Sequence, residues 1–376
     1  MRMLSVALCL SLMLGIGSFS VNAEEPPPSV SSRSIVLYEP QSGRFLYEKD
    51  ADAPRPMAST TKLMTALVAV EHLSPASTVT VPAAAVQVEG SSMGLRGGDV
   101  LTVRDLLAGL LLSSGNDAAN ALALLISGST ERFAVLMNRK ATDLGMKNTV
   151  FVTPSGLDEG DHHSTARDMA LLGAAVTEVP LLAELCALKS TTVCINGTKI
   201  TISNHNRLLS LYKDAVGLKT GYTKKSGKCL VSAATRDGVT LIVASLNGGD
   251  YWNDHIALYN YGFSQTESVV LPLPALPPVT VVGGTATAVA VRAEAPRAVL
   301  MRGEAETMRC EWELSPFVWA TVEVGESIGI VRYRTDERII AEVPITAAEA
   351  VRERPAIPFF ERWRRQLWRL FAAVAR

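Results

Sequence analysis

The hydrophobic pattern divides the first two thirds of the chain into strands at both ends with helices between them. Short β-branched and aromatic runs at 34–38 and 45–47 predict a hairpin around Gln41-Ser42-Gly43. In the middle of this region apolar residues recur every three or four positions, which predicts helices. These predicted helices are 57–72, 103–112, 118–126, 131–144 and one opened by a capping box between Ser164 and Asp168.

Two dipeptides mark further hairpins. Asn196-Gly197 separates apolar runs at 191–195 and 198–203, and Asp237-Gly238 separates runs at 229–235 and 239–246. Both are dipeptides that type I′ turns favour. A helical pattern follows at 252–261. Strands at both ends and helices between them predict an α+β domain over 24–268, in which the terminal strands meet in one sheet and a helical block packs on it.

A different pattern begins near residue 269. A proline-rich boundary at 271–278 is followed by short β-branched runs at 280–282, 288–291 and 328–332 with few helix signals. This pattern predicts a small all-β sandwich domain over 269–350. Pro355 and Pro358 end it, and residues 351–376 are predicted to be a linker and an amphipathic helix.

The apolar face of that C-terminal helix is large and aromatic, and its other face is basic. Between residues 359 and 376 there are five arginines and one glutamate, a net charge of +4. This combination is typical of a helix that lies in the plane of a membrane surface, although packing on the protein's own surface would also cover it. The predicted anchor residues are Phe359, Trp363, Leu367, Leu370 and Phe371.

The N-terminal segment indicates the cellular compartment, and the charge balance argues against nucleic-acid partners. Residues 1–23 resemble a signal peptide, with an apolar run at 4–16 and Val21-Asn22-Ala23 as the cleavage site, so we expect export to the outer face of the cytoplasmic membrane. The 36 Lys and Arg nearly balance the 37 Asp and Glu, which gives no pull toward nucleic acid. No mature segment has the roughly 20 apolar residues of a spanning helix, so attachment would be peripheral.

The cysteines give little information. Of the four in the mature chain, Cys186 and Cys194 are nearest in sequence and would be the best candidates for a disulfide. No C-x-x-C pair exists, which argues against a zinc site, and we expect most to be free, buried, small apolar residues.

Three short motifs carry the candidate chemistry. Ser59-Thr60-Thr61-Lys62 places a hydroxyl and an amine one helical turn apart, so a neutral lysine could deprotonate the serine. Ser114-Gly115-Asn116 follows between two predicted helices, and Lys219-Thr220-Gly221 lies on a predicted strand. Each has an ordinary alternative: a helix cap, a turn and a solvated strand residue. A second S-x-x-K beginning at Ser210 has no S-x-N between it and Lys219.

The histidines give weaker signals. His162 and His163 are adjacent, but no carboxylate spacing supports a metal site, and we predict none. His205 or Arg207, shortly before Lys219, could bind a substrate carboxylate or make a hydrogen bond within the loop.

The ordered trio, together with the surrounding residues 56–65, 114–120, 156–168 and 217–223, resembles the low-molecular-weight penicillin-binding proteins, the serine D-alanyl-D-alanine carboxypeptidases. The resemblance covers about residues 34–265. It implies a serine transpeptidase/β-lactamase-like fold, peptidoglycan stem pentapeptides as substrates, inhibition by β-lactams and no cofactor. The small β domain and terminal helix match the layout of the family's membrane-anchored members.

The resemblance also implies roles for individual residues. Ser59 would be the acylated nucleophile, Lys62 its base and Ser114 a proton relay. Asn116 would hold the substrate amide.

On the third motif, Lys219 would lower the pKa of Lys62 and bind the terminal carboxylate together with Thr220. The backbone N–H groups of Ser59 and of Tyr222, which follows Gly221, would form the oxyanion hole.

Rival functions share these motifs. A class A β-lactamase needs a deacylating glutamate in an E-x-x-L-N pattern, which is absent from the sequence. A D,D-endopeptidase of the same superfamily is harder to exclude. A non-catalytic penicillin-sensing or wall-binding protein would not need the complete nucleophile and base pair.

Overall fold

The computed structural model describes residues 26–336 and 338–355, together with residues 360, 361, 363 and 364. Its first elements are β1 (Ser34–Glu39), β2 (Arg44–Lys49), a 3-10 turn (Ala58–Thr61), α1 (Lys62–His72), β3 (Thr78–Thr80), a second 3-10 turn (Ala83–Val86), β4 (Val100–Thr102), α2 (Val103–Leu111), α3 (Asn116–Ser127) and α4 (Thr130–Asp143). Next come α5 (Ala166–Thr177), α6 (Pro180–Ala187), β5 (Ser190–Ile195), β6 (Thr198–Ser203), α7 (Leu208–Leu211), β7 (Ala215–Thr223), β8 (Gly227–Arg236), β9 (Val239–Gly248), α8 (Tyr251–Gln265) and β10 (Thr266–Val270). The remaining elements are β11 (Val279–Val282), β12 (Ala288–Val289), β13 (Val291–Arg292), β14 (Arg297–Met301), α9 (Glu304–Thr307), β15 (Arg309–Leu314), β16 (Phe317–Trp319), β17 (Ser327–Arg334) and β18 (Ile339–Ala347).

Five antiparallel strands form the central sheet in the order β2-β1-β9-β8-β7. Strand β1, from near the start of the chain, lies between its hairpin partner β2 and the later strand β9, with Val36 opposite Ala244. The turn between β8 and β9 has φ of 50° at Asp237 and 81° at Gly238, as a type I′ turn requires. The prediction that strands from both ends meet in one sheet is therefore confirmed.

Helix α1 runs through the interior of the helical block. Eight of its eleven residues are buried, so it is covered on nearly all sides instead of along one stripe. Leu63 and Leu67 belong to the main core, which also contains Val36 of β1 and Val231 of β8. Because α1 is enclosed in this way, the side chain at its first position, Lys62, is fixed inside the protein.

Several local predictions need correction. The cap of α5 is Thr165, whose side chain accepts from the backbone N–H of Asp168, so the predicted capping box began one residue early at Ser164. Helix α6 and the pair β3–β4 were not predicted. No cysteine is paired within the described residues, so the Cys186–Cys194 disulfide is absent; Cys186 and Cys229 are buried, whereas Cys194 and Cys310 are exposed.

Beyond β10 the chain forms small sheets around two further clusters of buried apolar side chains, while the predicted extent of a separate domain over 269–350 stays a prediction. One sheet has the order β12-β11-β16, a second has the order β13-β18-β17-β15, and β10 pairs with β14. The short helix α9 was not predicted. Its first residue, Glu304, accepts two hydrogen bonds of 2.7 and 2.8 Å from Arg44 of β2 and others from Arg338. This Glu304 cluster joins the later sheets to the edge of the central sheet.

Some predictions fall on residues outside the described part of the chain. These are the signal peptide over 1–23 and the predicted anchor residues Phe359, Leu367, Leu370 and Phe371. Trp363 is described and is 55% exposed. Among the described residues, no single helix has the length and apolar character to cross a bilayer; α5 and α6 meet the criteria only as a pair bent by 104°.

Candidate active site

The first candidate motif lies where the 3-10 turn meets α1. Ser59 is half-buried in that turn, and Lys62 is fully buried as the first residue of the helix. The Nζ atom of Lys62 lies 2.9 Å from the Oγ of Ser59, within hydrogen-bond distance. The predicted proximity of the hydroxyl and the amine is therefore present. The similar motif at Ser210 differs, because both Ser210 and Lys213 are exposed.

Lys62 has two further partners. Its Nζ donates to the Oδ1 of Asn116 at 2.7 Å and to the carbonyl oxygen of Ser155 at 2.6 Å. The Nδ2 of Asn116 donates to the carbonyl oxygen of Glu89 at 2.5 Å, which fixes the orientation of the amide. The Asn116 oxygen and the Ser155 carbonyl can only accept. A neutral amine that donates its two N–H groups to these atoms therefore turns its lone pair toward Ser59.

The surroundings favour this neutral form. Burial lowers the pKa of Lys62 well below its ordinary value of 10.5, and the positive charge of Lys219 lowers it further, while the carboxylate of Asp117 opposes the shift. An amine that is neutral near physiological pH can take a proton from a hydroxyl, which an ammonium cannot do. The site thus places an amine of lowered pKa beside a hydroxyl.

Backbone geometry brings the segment before Ser59 close to the loop that carries Ser155. A Cβ at Gly156 would lie 2.0 Å from the carbonyl oxygen of Ala58, and the φ of Gly156 is +85°. Only glycine fits such a contact and such a conformation. The hydroxyl of Thr65 also donates to the carbonyl oxygen of Pro154 at 2.6 Å. The loop is therefore held against α1 at both Lys62 and Thr65.

The second motif forms the turn between α2 and α3. Ser114 has a left-handed φ of 60° and lines the same cleft as Ser59. Asn116 is buried, and both ends of its amide have partners inside the protein, Lys62 and Glu89. The structure thus places Ser114 toward the cleft and Asn116 behind it.

The third motif lies on β7, the edge strand of the central sheet. Lys219 is buried, and its Nζ donates to the carbonyl oxygen of Thr220 at 3.0 Å. Burial lowers the pKa of Lys219 to about 8. A Cβ at Gly221 would lie 3.0 Å from the backbone nitrogen of Ser59, so glycine lets β7 approach the serine closely. The N–H of Ser59 and strand β7 therefore border one space.

That space is an open cleft of about 400 Å³ that joins all three motifs. Its lining includes three residues that the sequence analysis did not single out, namely Ser91, Lys228 and Tyr251. The ammonium of Lys228 lies 5.6 Å from the centre of the Tyr251 ring. His205, predicted as a possible carboxylate ligand, also lines the cleft. No spacing rule connects Ser91, Lys228 and Tyr251 to the motifs, so no sequence pattern pointed to these three residues.

A buried carboxylate shapes one wall of the cleft. Asp117 accepts from the Ser92 hydroxyl at 2.5 Å and from three consecutive backbone N–H groups. These belong to Met93, Gly94 and Leu95, at 3.0, 3.0 and 2.9 Å. Ser91, which precedes Ser92, accepts a hydrogen bond with its carbonyl oxygen from the N–H of Asn116 at 2.8 Å. The start of α3 therefore fixes the loop over 91–95 as well as the amide that contacts Lys62.

His162 makes a hydrogen bond to the 3-10 turn that carries Ser59. Its Nδ1 accepts from the N–H of Val152 at 2.9 Å, so the proton of the neutral ring is on Nε2, which lies 2.9 Å from the hydroxyl of Thr61. Burial lowers the pKa of His162 to about 4, which keeps the ring neutral. Among the described residues there is no group of three or more metal-ligating side chains at which a metal would be held.

The D-alanyl-D-alanine carboxypeptidase family, peptidase family S11, matches residues 20–249, more than half of the chain. This chain belongs to that family. The carboxypeptidase DacF of Bacillus subtilis is 30% identical over 345 residues, which cover 88% of each chain. DacC of Escherichia coli is 34% identical over 359 residues, covering 89% of this chain and 88% of DacC.

Solved structures of the carboxypeptidase family show the same mixed α and β architecture. Penicillin-binding protein 5 from Haemophilus influenzae superimposes with a TM-score of 0.67 at 29% identity, over 87% of this chain and 99% of that one. The alignment extends beyond the motif-bearing region into the later sheets. The serine transpeptidase-like fold that the resemblance implied is therefore confirmed.

We predict that Asp117→Asn loosens the wall of the cleft. Asparagine keeps one acceptor oxygen but replaces the other with an NH₂ group, so buried donors of the 92–95 loop lose their partner. The expected loss of stability is about 1–3 kcal/mol. Amide hydrogen exchange should accelerate at Met93, Gly94 and Leu95. Asp143→Asn, on the exposed end of α4, is the matched control; equal exchange in both variants would contradict the role of Asp117.

Proposed function

We propose that this chain removes the terminal D-alanine from peptidoglycan stem pentapeptides by acyl transfer through Ser59. Family membership supports the reaction class, a serine-type D-Ala-D-Ala carboxypeptidase. The single observation that carries the residue assignment is the contact of 2.9 Å between Lys62 Nζ and Ser59 Oγ, made by an amine whose other partners only accept. That geometry provides an activated nucleophile.

In the acylation step the Ser59 hydroxyl gives its proton to the neutral amine of Lys62. Its oxygen attacks the carbonyl carbon between the two D-alanines. The backbone N–H groups of Ser59 and Tyr222 stabilise the resulting oxyanion. As the C–N bond breaks, the proton returns through Ser114 to the leaving amine, and free D-alanine departs. Water then attacks the ester, which releases the tetrapeptide and restores the Ser59 hydroxyl.

Lys219 and Thr220 are proposed to bind the carboxylate of the terminal D-alanine. A cation and a hydroxyl on one edge strand can pair with the carboxylate as a charge-assisted contact. Gly221 leaves the strand open to a substrate backbone. Asn116 is proposed to hold the substrate amide, which requires that its amide leave one of its present partners.

β-Lactams are proposed to react by the same acylation step. Attack of Ser59 on the lactam carbonyl breaks the ring C–N bond, but the leaving nitrogen stays attached to the acyl group. It cannot diffuse away as D-alanine does, so the acyl-enzyme persists. Inhibition by penicillin therefore follows from the same nucleophile and the same oxyanion hole.

We further propose that the mature chain works at the outer face of the cytoplasmic membrane. The signal-peptide pattern over 1–23 supports export. The aromatic and basic segment over 359–376 supports peripheral binding to an anionic surface. In the described part of this segment, Phe360 and Trp363 are 80% and 55% exposed. Large apolar side chains left open to solvent are available to enter a bilayer interface.

We predict that benzylpenicillin adds once to this protein, on the peptide that contains Ser59. Intact-mass measurement followed by peptide mapping checks this. Ser59→Ala should form no adduct, whereas Ser210→Ala, in the exposed second S-x-x-K, should react like the wild type. Incubation with a stem pentapeptide should remove one alanine. Cleavage of cross-linked dimers without loss of alanine would instead indicate an endopeptidase, and hydrolysis of the β-lactam with turnover would indicate a β-lactamase.

We predict a bell-shaped pH profile of kcat/KM on the pentapeptide. Activity requires neutral Lys62, so it falls on the acid side as Lys62 is protonated. It also requires protonated Lys219, whose pKa is lowered to about 8, so it falls above that pH. Lys219→Arg keeps the positive charge to above about pH 12 and should abolish the alkaline fall. An alkaline fall near 8 that survives in Lys219→Arg would mean that another group titrates.

We predict that residues after Pro355 carry membrane binding. A chain that ends at Pro355 keeps the backbone contacts of Val351 and Arg354, and should retain activity on soluble peptides but no longer sediment with anionic vesicles. Full-length Trp363→Glu places a charge on the apolar face and should weaken sedimentation, while Arg376→Ala should change it little. Sedimentation of the shortened chain at wild-type level would locate the anchor elsewhere.

A further inference from the structure

A patch of large apolar side chains is open to solvent on the later sheets. Phe317 and Trp319 of β16 are 44% and 67% exposed, and Val324 in the following turn is 55% exposed. The rings of Phe317 and Trp319 touch edge to face, with centroids 5.6 Å apart. We call these three residues the β16 patch. Trp319 is the most exposed tryptophan in the described part of the chain.

The fold leaves this patch uncovered because of where β16 lies. The strand is at the edge of the β12-β11-β16 sheet, and alternate residues face opposite sides. Val318 packs against the core below, so its two aromatic neighbours point the other way. An exposed, contiguous aromatic surface is unfavourable in water and is typical of an interaction site.

The β16 patch lies at the point from which the C-terminal segment leaves the fold. Trp319 pairs with Val282, and the next residue, Gly283, accepts from the N–H of Arg354 at 2.8 Å. Three residues after Trp319, Val322 forms an isolated bridge with Val351. The main chain over 351–354 therefore runs directly beside Trp319.

This position limits how far the β16 patch can be from the proposed membrane anchor. The first anchor residue, Phe359, lies five positions after Arg354. Even fully extended, these five steps along the chain span at most about 18 Å. A helix from Phe359 onward that lies in a bilayer interface therefore keeps the exit of the chain, and the patch beside it, within that distance of the lipid.

The chemistry of the patch suits a lipid interface. Tryptophan and phenylalanine combine a large apolar area with a ring that is stable at the level of the lipid headgroups. Charges around the exit are mixed, with Arg352 and Arg354 beside Glu323 and Glu353. They give no net attraction for an acidic or basic protein, so the aromatic side chains determine what the surface binds.

We propose that the β16 patch is a second membrane contact, which inserts into the interface of an anionic phospholipid bilayer beside the C-terminal helix. The inference rests on the membrane anchoring proposed above. A single contact with the bilayer would leave the orientation of the folded part of the chain undetermined. Two contacts next to each other fix the orientation of the later sheets against the bilayer.

The test uses two variants of the full mature chain that keep one tryptophan each. One retains Trp319 and the other retains Trp312, and in each the other four tryptophans are replaced by Phe. Trp312 is a matched control, because it is 44% exposed on β15, the far edge of the other sheet. Vesicles of phosphatidylglycerol with brominated acyl chains quench only tryptophans that enter the bilayer. Sedimentation shows that each variant is bound.

We expect quenching of Trp319 and none of Trp312. In the otherwise unchanged chain, Trp319→Glu should weaken vesicle binding about tenfold, because it puts a charge where an aromatic side chain enters the interface. Trp312→Glu should bind within about twofold of wild type, since its surface would face water.

Three results would overturn the inference. If both single-tryptophan variants sediment but Trp319 is not quenched, the C-terminal helix alone holds the protein and the patch is not a lipid contact. If the wild-type chain does not sediment at all, the proposed anchoring fails and the second contact fails with it. If sedimentation velocity without vesicles shows a dimer that Trp319→Glu dissociates, a second copy of the chain covers the patch.

Discussion

The buried amine of Lys62 and its three hydrogen-bond partners are the constraint around which the site is built. A charged ammonium is expensive to bury, and this one has no carboxylate in direct contact, so the interior shifts it toward the neutral form. The partners come from three separate segments: the turn before α1, the start of α3 and the loop around Ser155. Much of the surrounding architecture holds these segments in register. The close approach at Gly156 and the carboxylate of Asp117 both act on them.

Two buried lysines lie beside the cleft. Burial lowers the pKa of both, to about 8 for Lys219, and the positive charge of Lys219 lowers the pKa of Lys62 further. In the proposed mechanism Lys62 takes the serine proton as a neutral amine, while Lys219 binds the substrate carboxylate as a cation. That mechanism depends on different protonation states of the two amines, since two neutral amines could not bind an anion and two ammonium groups could not take a proton.

Much of the fold and of the candidate site could be predicted from the sequence, and the features that were missed have physical reasons. Turn dipeptides such as Asp237-Gly238 fix the hairpins locally, so the hairpins of the central sheet were predicted correctly, whereas its strand order was not predicted. The ordered motifs led to the residues that meet in one cleft, although their individual roles stay predictions. Ser155 was missed because it contributes a backbone carbonyl, which leaves no mark on side-chain identity. The β3–β4 pair was missed because each strand has only three residues, too few for an alternating pattern to show.

The Glu304 cluster gives the molecule a mechanical property. Arg44 belongs to a hairpin that adjoins β1 in the central sheet, while Glu304 and Arg338 belong to the region that leads to the C-terminal segment. Because Glu304 binds both arginines, a torque applied to the later sheets reaches the central sheet through a charged cross-link as well as through the chain near β10. When the later sheets are twisted or pulled, the cleft is therefore turned together with them, so a force applied far from Ser59 reorients the cleft instead of bending the chain between them.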